Sequence, residues 1–151
     1  MTVEDRLSEL GITLPEAAAP VASYVPVVVH GGLAHVSGQL PFIDDVLVKG
    51  RLGETVELHE GIEAARACGL MILAQLGSAG VLEQVDQVVK LNVFVNSSSN
   101  FTDQPKVANG ASDLMVEIFG DEGRHARAAV GVRALPLGAA VEVDAIFAIA
   151  E

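Results

Sequence analysis

The stretch that decides the fold is residues 125–150, HARAAVGVRALPLGAAVEVDAIFAIA. Two runs of small and branched apolar residues flank the LPLG segment at 135–138, a pattern typical of strand, turn and strand. The first run carries Arg127 and the second carries Glu142. An arginine and a carboxylate are therefore expected on neighbouring strands of a heavily buried sheet. Because buried charges are costly unless they are paired or used, this stretch also indicates chemistry.

Upstream of this stretch, the hydrophobic pattern alternates between strand and helix periods. Branched apolar residues predict strands over four segments: 23–30, 33–37, 46–50 and 85–95. Apolar residues at steps of three and four predict one helix over residues 58–76 and a second helix capped by Asp103. Gly61 and Gly69 lie inside the first of these helices, where they are expected to let it approach a sheet closely.

The order of these elements predicts an α+β layer fold. We expect one mixed sheet of about six strands, with both helices packed on one face. The strand at 85–95 is apolar on both sides, so a further copy of the chain is expected to cover the other face. The length fits a single domain over residues 1–151, in which residues 1–22 form an N-terminal extension with a short helix.

The composition excludes several classes of protein. A net charge of −11 opposes nucleic-acid binding, which needs basic patches. The first residues show no signal-peptide pattern, and the apolar runs are too short to cross a bilayer. With Cys68 as the single cysteine, these features favour a cytoplasmic protein. The histidines lack metal-ligand spacing and no phosphate-binding glycine motif is present, so we expect neither a metal nor a cofactor.

Three motifs, taken together, resemble a known family. They are RAAVGV from Arg127, followed by Leu135-Pro136 and Val141-Glu142-Val143; VSGQLP at residues 36–41; and Tyr24, which precedes Ser37 by thirteen residues. In this combination the chain resembles the Rid family, the reactive intermediate deaminases that are also called YjgF or UK114 proteins. The resemblance implies a chorismate-mutase-like fold assembled as a homotrimer, with clefts between subunits.

The resemblance also implies roles for individual residues. Arg127 matches the arginine that grips the substrate carboxylate, and Glu142 matches the glutamate that orients or activates a water. A glutamate in an apolar strand has its pKa raised, which suits proton transfer near neutral pH. Ala129 stands where many members have cysteine, a position whose backbone carbonyl is implicated in holding that water. An intersubunit salt bridge between Arg127 and Glu142 is the competing interpretation.

Other positions complete the expected cleft. Tyr24 and Ser37 are expected to contribute hydroxyl groups, while Asn100 and Phe101 are expected at the rim. A half-buried strand tyrosine is the structural alternative for Tyr24. His125 stands where the family usually has proline, either as a titratable group beside the site or as a surface histidine before a strand.

Three functions follow in order of preference. The first is hydrolytic deamination of a small enamine or imine that bears a carboxylate, giving a 2-oxo acid and ammonia without a cofactor. The second is a non-catalytic module that binds a small carboxylate in the same cleft. The third is ribonuclease or translation-inhibitor activity, which the negative charge opposes.

Overall fold

A computed structural model describes residues 1–19 and 22–150, so that Pro20 and Val21 of the predicted extension lie outside the described residues. The three α-helices are α1 Val3–Glu9, α2 Leu58–Ser78 and α3 Gln104–Phe119. The seven strands are β1 Val27–His30, β2 Leu33–Gln39, β3 Phe42–Ile43, β4 Val46–Leu47, β5 Val85–Asn96, β6 Ala126–Val132 and β7 Val141–Ile149. None of the described helices is both long enough and apolar enough to cross a membrane.

The main sheet is mixed and has the strand order β1-β2-β7-β5-β6. The β5–β6 pair is parallel, with α3 as its crossover, and the other neighbours are antiparallel. This confirms the α+β fold, with five strands in the main sheet instead of about six. The strand predicted over residues 46–50 contributes only β4, which pairs with β3 in a separate two-stranded sheet. Asp44 and Asp45, both at positive φ, form the tight turn between them.

The last two strands are not neighbours, which corrects the first expectation from the sequence. β5 lies between β6 and β7 in the sheet. The connecting segment contains the 3-10 helix Pro136–Gly138 and hydrogen-bonds to the chain after β4: Gly50 N donates to Gly138 O, and Ala140 N donates to Val48 O. The connection is thereby drawn away from β6. Alternation within a strand shows which residues share a face, but it does not identify the neighbouring strand.

Both long helices pack on one face of the sheet. On β7 the side chains that face the helices are fully or almost fully buried: Val141, Val143, Ala145 and Phe147. Gly69 serves a contact that differs from the expected one, because a Cβ placed there would lie 2.9 Å from Leu114 Cδ2. Gly110 of α3 in turn lies directly against the Ile62 carbonyl of α2. Gly69 and Gly110 therefore allow the two helices to approach each other, and Gly61 lies close to Leu52 and to Val107 of α3.

The opposite face of the sheet is mixed in character. Glu142 and Asp144 of β7 lie on it, and Asn92 Nδ2 of β5 donates a 2.8 Å hydrogen bond to Asp144 Oδ1. Phe94 and Ile146 on the same face are half-buried. The expectation of a strand that is apolar on both sides is thus only partly met, because the Asn92–Asp144 pair and Glu142 interrupt the face that a second copy was expected to cover.

The N-terminal segment lies along the helices. Thr2 and Asp5 form a capping box at the start of α1, and Leu7 is buried. Further along, the side chain of Gln75 in α2 donates a 2.7 Å hydrogen bond to Ala18 O. The segment therefore contacts α3 before the LPEA stretch at residues 14–17, where Arg6 Nε donates to Glu117 O, and contacts α2 after it.

Candidate functional site

Arg127 and Glu142 of one chain lie on opposite faces of the sheet. Arg127 is level with Leu91 in the parallel β5–β6 ladder, and Leu91 is buried under the helices. Glu142 is level with Phe94, three residues further along β5 and therefore on the other face. With this register the two side chains cannot form a salt bridge within one chain, so the competing interpretation stays one of a bridge between subunits. If the two residues share a site, one of them must come from another copy.

The Arg127 guanidinium is held by α3. Its Nη1 donates to Asn109 Oδ1 at 2.8 Å and to Ser112 Oγ at 3.2 Å. Asn109 and Ser112 are three residues apart and share one helix surface. The ion pairs among the described residues involve other arginines and a lysine, so no carboxylate there neutralises Arg127. Both Nη1 hydrogens are used, and no described residue accepts a hydrogen bond from Nε or Nη2, the edge whose two donors bind a carboxylate bidentately.

His125 extends this group of polar residues. Its Nε2 lies 2.8 Å from Ser112 Oγ, and its Nδ1 lies 2.7 Å from Gly123 O. The sequence left open whether His125 lies beside the site or on the surface before a strand. The ring is half-buried and contacts Ser112, which also binds Arg127.

Two glycines determine where these side chains lie. A Cβ at Gly123 would lie 2.7 Å from the carbonyl carbon of Met115, so glycine lets the short helix Gly120–Gly123 lie against α3. This close contact brings the carbonyl that His125 binds next to Ser112. Gly110 similarly lets α3 lie against α2, and Asn109 precedes it. The position of the Arg127 partners thus follows from backbone packing.

Glu142 occupies a different environment on the open face. Its side chain fills the space above Gly38, where any Cβ would overlap it. Partial burial, followed by the nearby Asp144 carboxylate, raises the pKa of Glu142 above its usual range. This agrees with the direction expected from the sequence.

Ser37 immediately precedes Gly38, the residue that Glu142 covers, whereas the cavity that Tyr24 lines extends to Gln75 of α2. Tyr24 is 53% exposed, so the half-buried alternative is wrong for the isolated chain. It lines a cavity of about 220 Å³ together with Gly38 and Leu137. Ser37 Oγ donates a 2.8 Å hydrogen bond to Val25 O, which uses its hydroxyl proton within the chain.

Ala129 and the two predicted rim residues lie along β6 or near its end. Ala129 is on the same face as Arg127, one pleat further along. Asn100 and Phe101 line a cavity of about 800 Å³ beside Gly131, together with Arg51 and Arg133. Gly131 lies four positions beyond Arg127 along the strand, a distance of about 13 Å at about 3.3 Å per residue. Asn100 and Phe101 are therefore not beside the Arg127 of their own chain.

Asn109 and Ser112 are the site residues that the sequence interpretation missed. They lie in the NGAS segment of a helix whose apolar stripe was recognised, but polar residues beside a stripe are ordinarily solvated. Within one chain, the neutral oxygen atoms of Asn109 and Ser112 hold the Arg127 guanidinium, and no described carboxylate neutralises its charge. Such an arrangement can bind a small planar anion. No group of three or more His, Cys, Asp or Glu side chains among the described residues is arranged to hold a metal ion.

Comparison with known proteins agrees with the motifs. Residues 4–149 match the family described as YjgF/chorismate mutase-like, putative endoribonuclease. Protein TCP17 of Trypanosoma cruzi is 56% identical over 147 residues, covering 95% of this chain and 92% of that protein. A 2-iminobutanoate/2-iminopropanoate deaminase of Dermatophagoides farinae is 32% identical over 138 residues, covering 91% and 94%.

A solved structure extends the similarity to three dimensions. The crystal structure of a protein of unknown function from Agrobacterium tumefaciens superposes with a TM-score of 0.90 at 46% identity, covering 98% of this chain and 92% of that one. The family match spans nearly all of the chain, and it includes the motifs around Ser37, Arg127 and Glu142. The chain belongs to the YjgF/chorismate-mutase-like family, whose members include the Rid proteins that its motifs resemble.

Proposed function

We propose that the protein hydrolyses a small imine or enamine that bears a carboxylate, releasing a 2-oxo acid and ammonia. The observation that carries the proposal is the open Nε–Nη2 edge of Arg127, a cation without a partner carboxylate among the described residues. The chain as a whole carries a net charge of −11 and repels anions, so an unpaired cation at one position attracts an anionic group to that position. The deaminase from Dermatophagoides farinae supports the substrate class.

The proposed reaction needs water and one group that exchanges protons. Water adds to the C=N carbon, and the resulting carbinolamine loses ammonia as the C=O bond forms. Glu142 is the proposed proton carrier: it passes one proton from the attacking water to the imine nitrogen, and then passes the proton of the carbinolamine hydroxyl to the same nitrogen as ammonia leaves. The raised pKa of Glu142 brings its carboxyl group closer to neutral pH, which favours both transfers.

We propose that the complete site lies between copies of the chain. Arg127 and Glu142 of one chain are on opposite faces of the sheet, so a cleft that contains both requires two copies. The motifs suggest a homotrimer, in which Tyr24, Ser37 and the backbone of Ala129 lie near the substrate. Sedimentation at micromolar concentration is expected to give a trimer. A monomer under these conditions would contradict the shared cleft.

A non-catalytic role is the second candidate, and it has one observation in its favour. The Arg127 arrangement is complete within a single chain, whereas Glu142 is not beside it. A protein that binds 2-oxo acids without turnover needs only Arg127. The same experiment separates the candidates.

The test is ammonia release from imines generated in situ. An amino-acid oxidase converts a panel of amino acids to imino acids, and the protein is added at catalytic concentration. We expect faster ammonia release than spontaneous hydrolysis gives, with a preference for small imino acids. No acceleration on any imine, with intact pyruvate binding by calorimetry, would support the binding module in place of the enzyme.

A further inference from the structure

The hydrogen bonds around His125 define its tautomer. Gly123 O can only accept, so the neutral ring must carry its proton on Nδ1. Nε2 is then an acceptor, and Ser112 must donate its hydroxyl proton to it. With that proton committed, the Ser112 oxygen presents only lone pairs to Arg127 Nη1. The hydrogen bonds thus run in one direction: Arg127 donates to Ser112, Ser112 donates to His125, and His125 donates to the Gly123 carbonyl.

We infer that Ser112 and His125 are positioning residues that fix the Arg127 guanidinium and thereby select a planar, two-oxygen anion. The inference rests on the proposed function, in which Arg127 binds the substrate carboxylate. His125 determines the direction of the Ser112 hydroxyl, and Ser112 with Asn109 holds both hydrogens of Nη1. The guanidinium plane is then fixed, and its Nε–Nη2 edge points away from the helix.

This orientation has a consequence for specificity. A carboxylate accepts two parallel hydrogen bonds from the Nε–Nη2 edge, whereas a neutral amide offers a single oxygen. A guanidinium that cannot rotate discriminates strongly between the two, because it cannot turn to optimise a one-point contact. Pyruvate and pyruvamide differ in this group alone and are therefore matched probes.

The packing supports a dedicated arrangement of these residues. Ser112 lies on α3 and His125 immediately precedes β6, and they meet because Gly123 allows the intervening short helix to contact α3. An ordinary surface histidine would leave at least one ring nitrogen to solvent, whereas both nitrogens of His125 have partners within the chain.

The experiment compares Ser112→Ala and Ser112→Thr with the parent protein. Calorimetry measures the affinity for pyruvate and for pyruvamide. Ser112→Ala should bind pyruvate about tenfold more weakly, the effect of losing one hydrogen bond to a charged group. It should also discriminate less between pyruvate and pyruvamide. Ser112→Thr retains the hydroxyl and should restore both values. Ser78→Ala, an exposed serine at the end of α2, is the matched control.

Nitrogen NMR of the His125 ring tests the inference without substrate. The neutral ring of the parent should carry its proton on Nδ1. A neutral ring with its proton on Nε2 would overturn the inference, because Ser112 would then receive that proton instead of donating its own. Unchanged pyruvate affinity and discrimination in Ser112→Ala would overturn it as well.

The outcomes also separate this inference from the proposed function. A parent that binds pyruvate but releases no ammonia overturns the enzymatic proposal, while the Ser112 variants still test the positioning. A parent that neither binds 2-oxo acids nor releases ammonia overturns both. A parent that does both, with Ser112→Ala indistinguishable from it, overturns the positioning alone.

Discussion

Replacing Arg127 with lysine tests the carboxylate site most directly. Lysine keeps the charge but replaces a planar fork with a single ammonium group. In the structure Arg127 Nη1 donates hydrogen bonds to Asn109 and Ser112, and the Nε–Nη2 edge is the part of the guanidinium that can bind a ligand. One ammonium group cannot serve both sides. We expect the loss of one charge-assisted hydrogen bond, about 1.5–3 kcal/mol, which corresponds to about one to two decades in kcat/KM.

The same variants distinguish a ligand site from a structural one. Arg127 has no carboxylate partner among the described residues, so Arg127→Ala leaves no buried acid unpaired within the chain. The free energy of unfolding should fall by no more than about 1–2 kcal/mol, the value of one or two ordinary hydrogen bonds. A salt bridge to Glu142 of another copy predicts a different result, a loss of about 3–5 kcal/mol accompanied by dissociation.

The assay combines ammonia release, pyruvate calorimetry, thermal unfolding and sedimentation on each variant. Arg124→Ala is the matched control, because it removes the same charge from an exposed position three residues earlier. We expect Arg127→Ala to lose pyruvate binding while it keeps its oligomeric state, and Arg124→Ala to resemble the parent. A stable Arg127→Ala protein that binds pyruvate as well as the parent would refute the carboxylate site.

Three further predictions concern stability and substrate class. Gly110→Ala should destabilise the fold by about 1–3 kcal/mol through overlap with the Ile62 carbonyl, whereas Gly77→Ala, with nothing nearer than 3.8 Å, should be neutral or stabilising in thermal unfolding. Glu142→Gln should melt above the parent at neutral pH and together with it near about pH 3, since a raised carboxyl pKa means that ionisation weakens the fold as pH rises. Equal melting at both pH values would contradict the raised pKa. RNA should remain intact in nuclease assays, because the net charge of −11 repels it, and cleavage that disappears in Arg127→Ala would overturn this expectation.

The elements of the fold were predictable because each has a clear hydrophobic period. The stripe of α3 at Val107, Ala111, Leu114 and Ile118 is buried as its spacing predicts. Strand order was not predictable in the same way. The run around Arg127 and the run around Glu142 resemble a hairpin, yet β5 separates them and pairs with both. Pairing depends on contacts between distant segments, and alternation within one strand carries no information about them.

The sequence predicted the site residues that lie on strands, but not those that lie on α3. The motifs indicated Arg127, but whether it shares a face with Glu142 depends on the register against β5. Asn109 and Ser112 were missed because nothing local shows which side of a helix meets an edge strand. His125 was considered, but its role depends on the carbonyl of Gly123, a partner that only the folded backbone provides.

The central position of β7 has a consequence for how the chain is made. β7 follows every other element in the sequence, yet it hydrogen-bonds to β2 on one side and β5 on the other. Until β7 leaves the ribosome, β1–β2 and β5–β6 remain two separate ribbons with open edges. Such edges invite pairing with other nascent chains. We therefore expect the sheet to close only after synthesis of β7, and chaperones that shield unpaired strands to matter most in that interval.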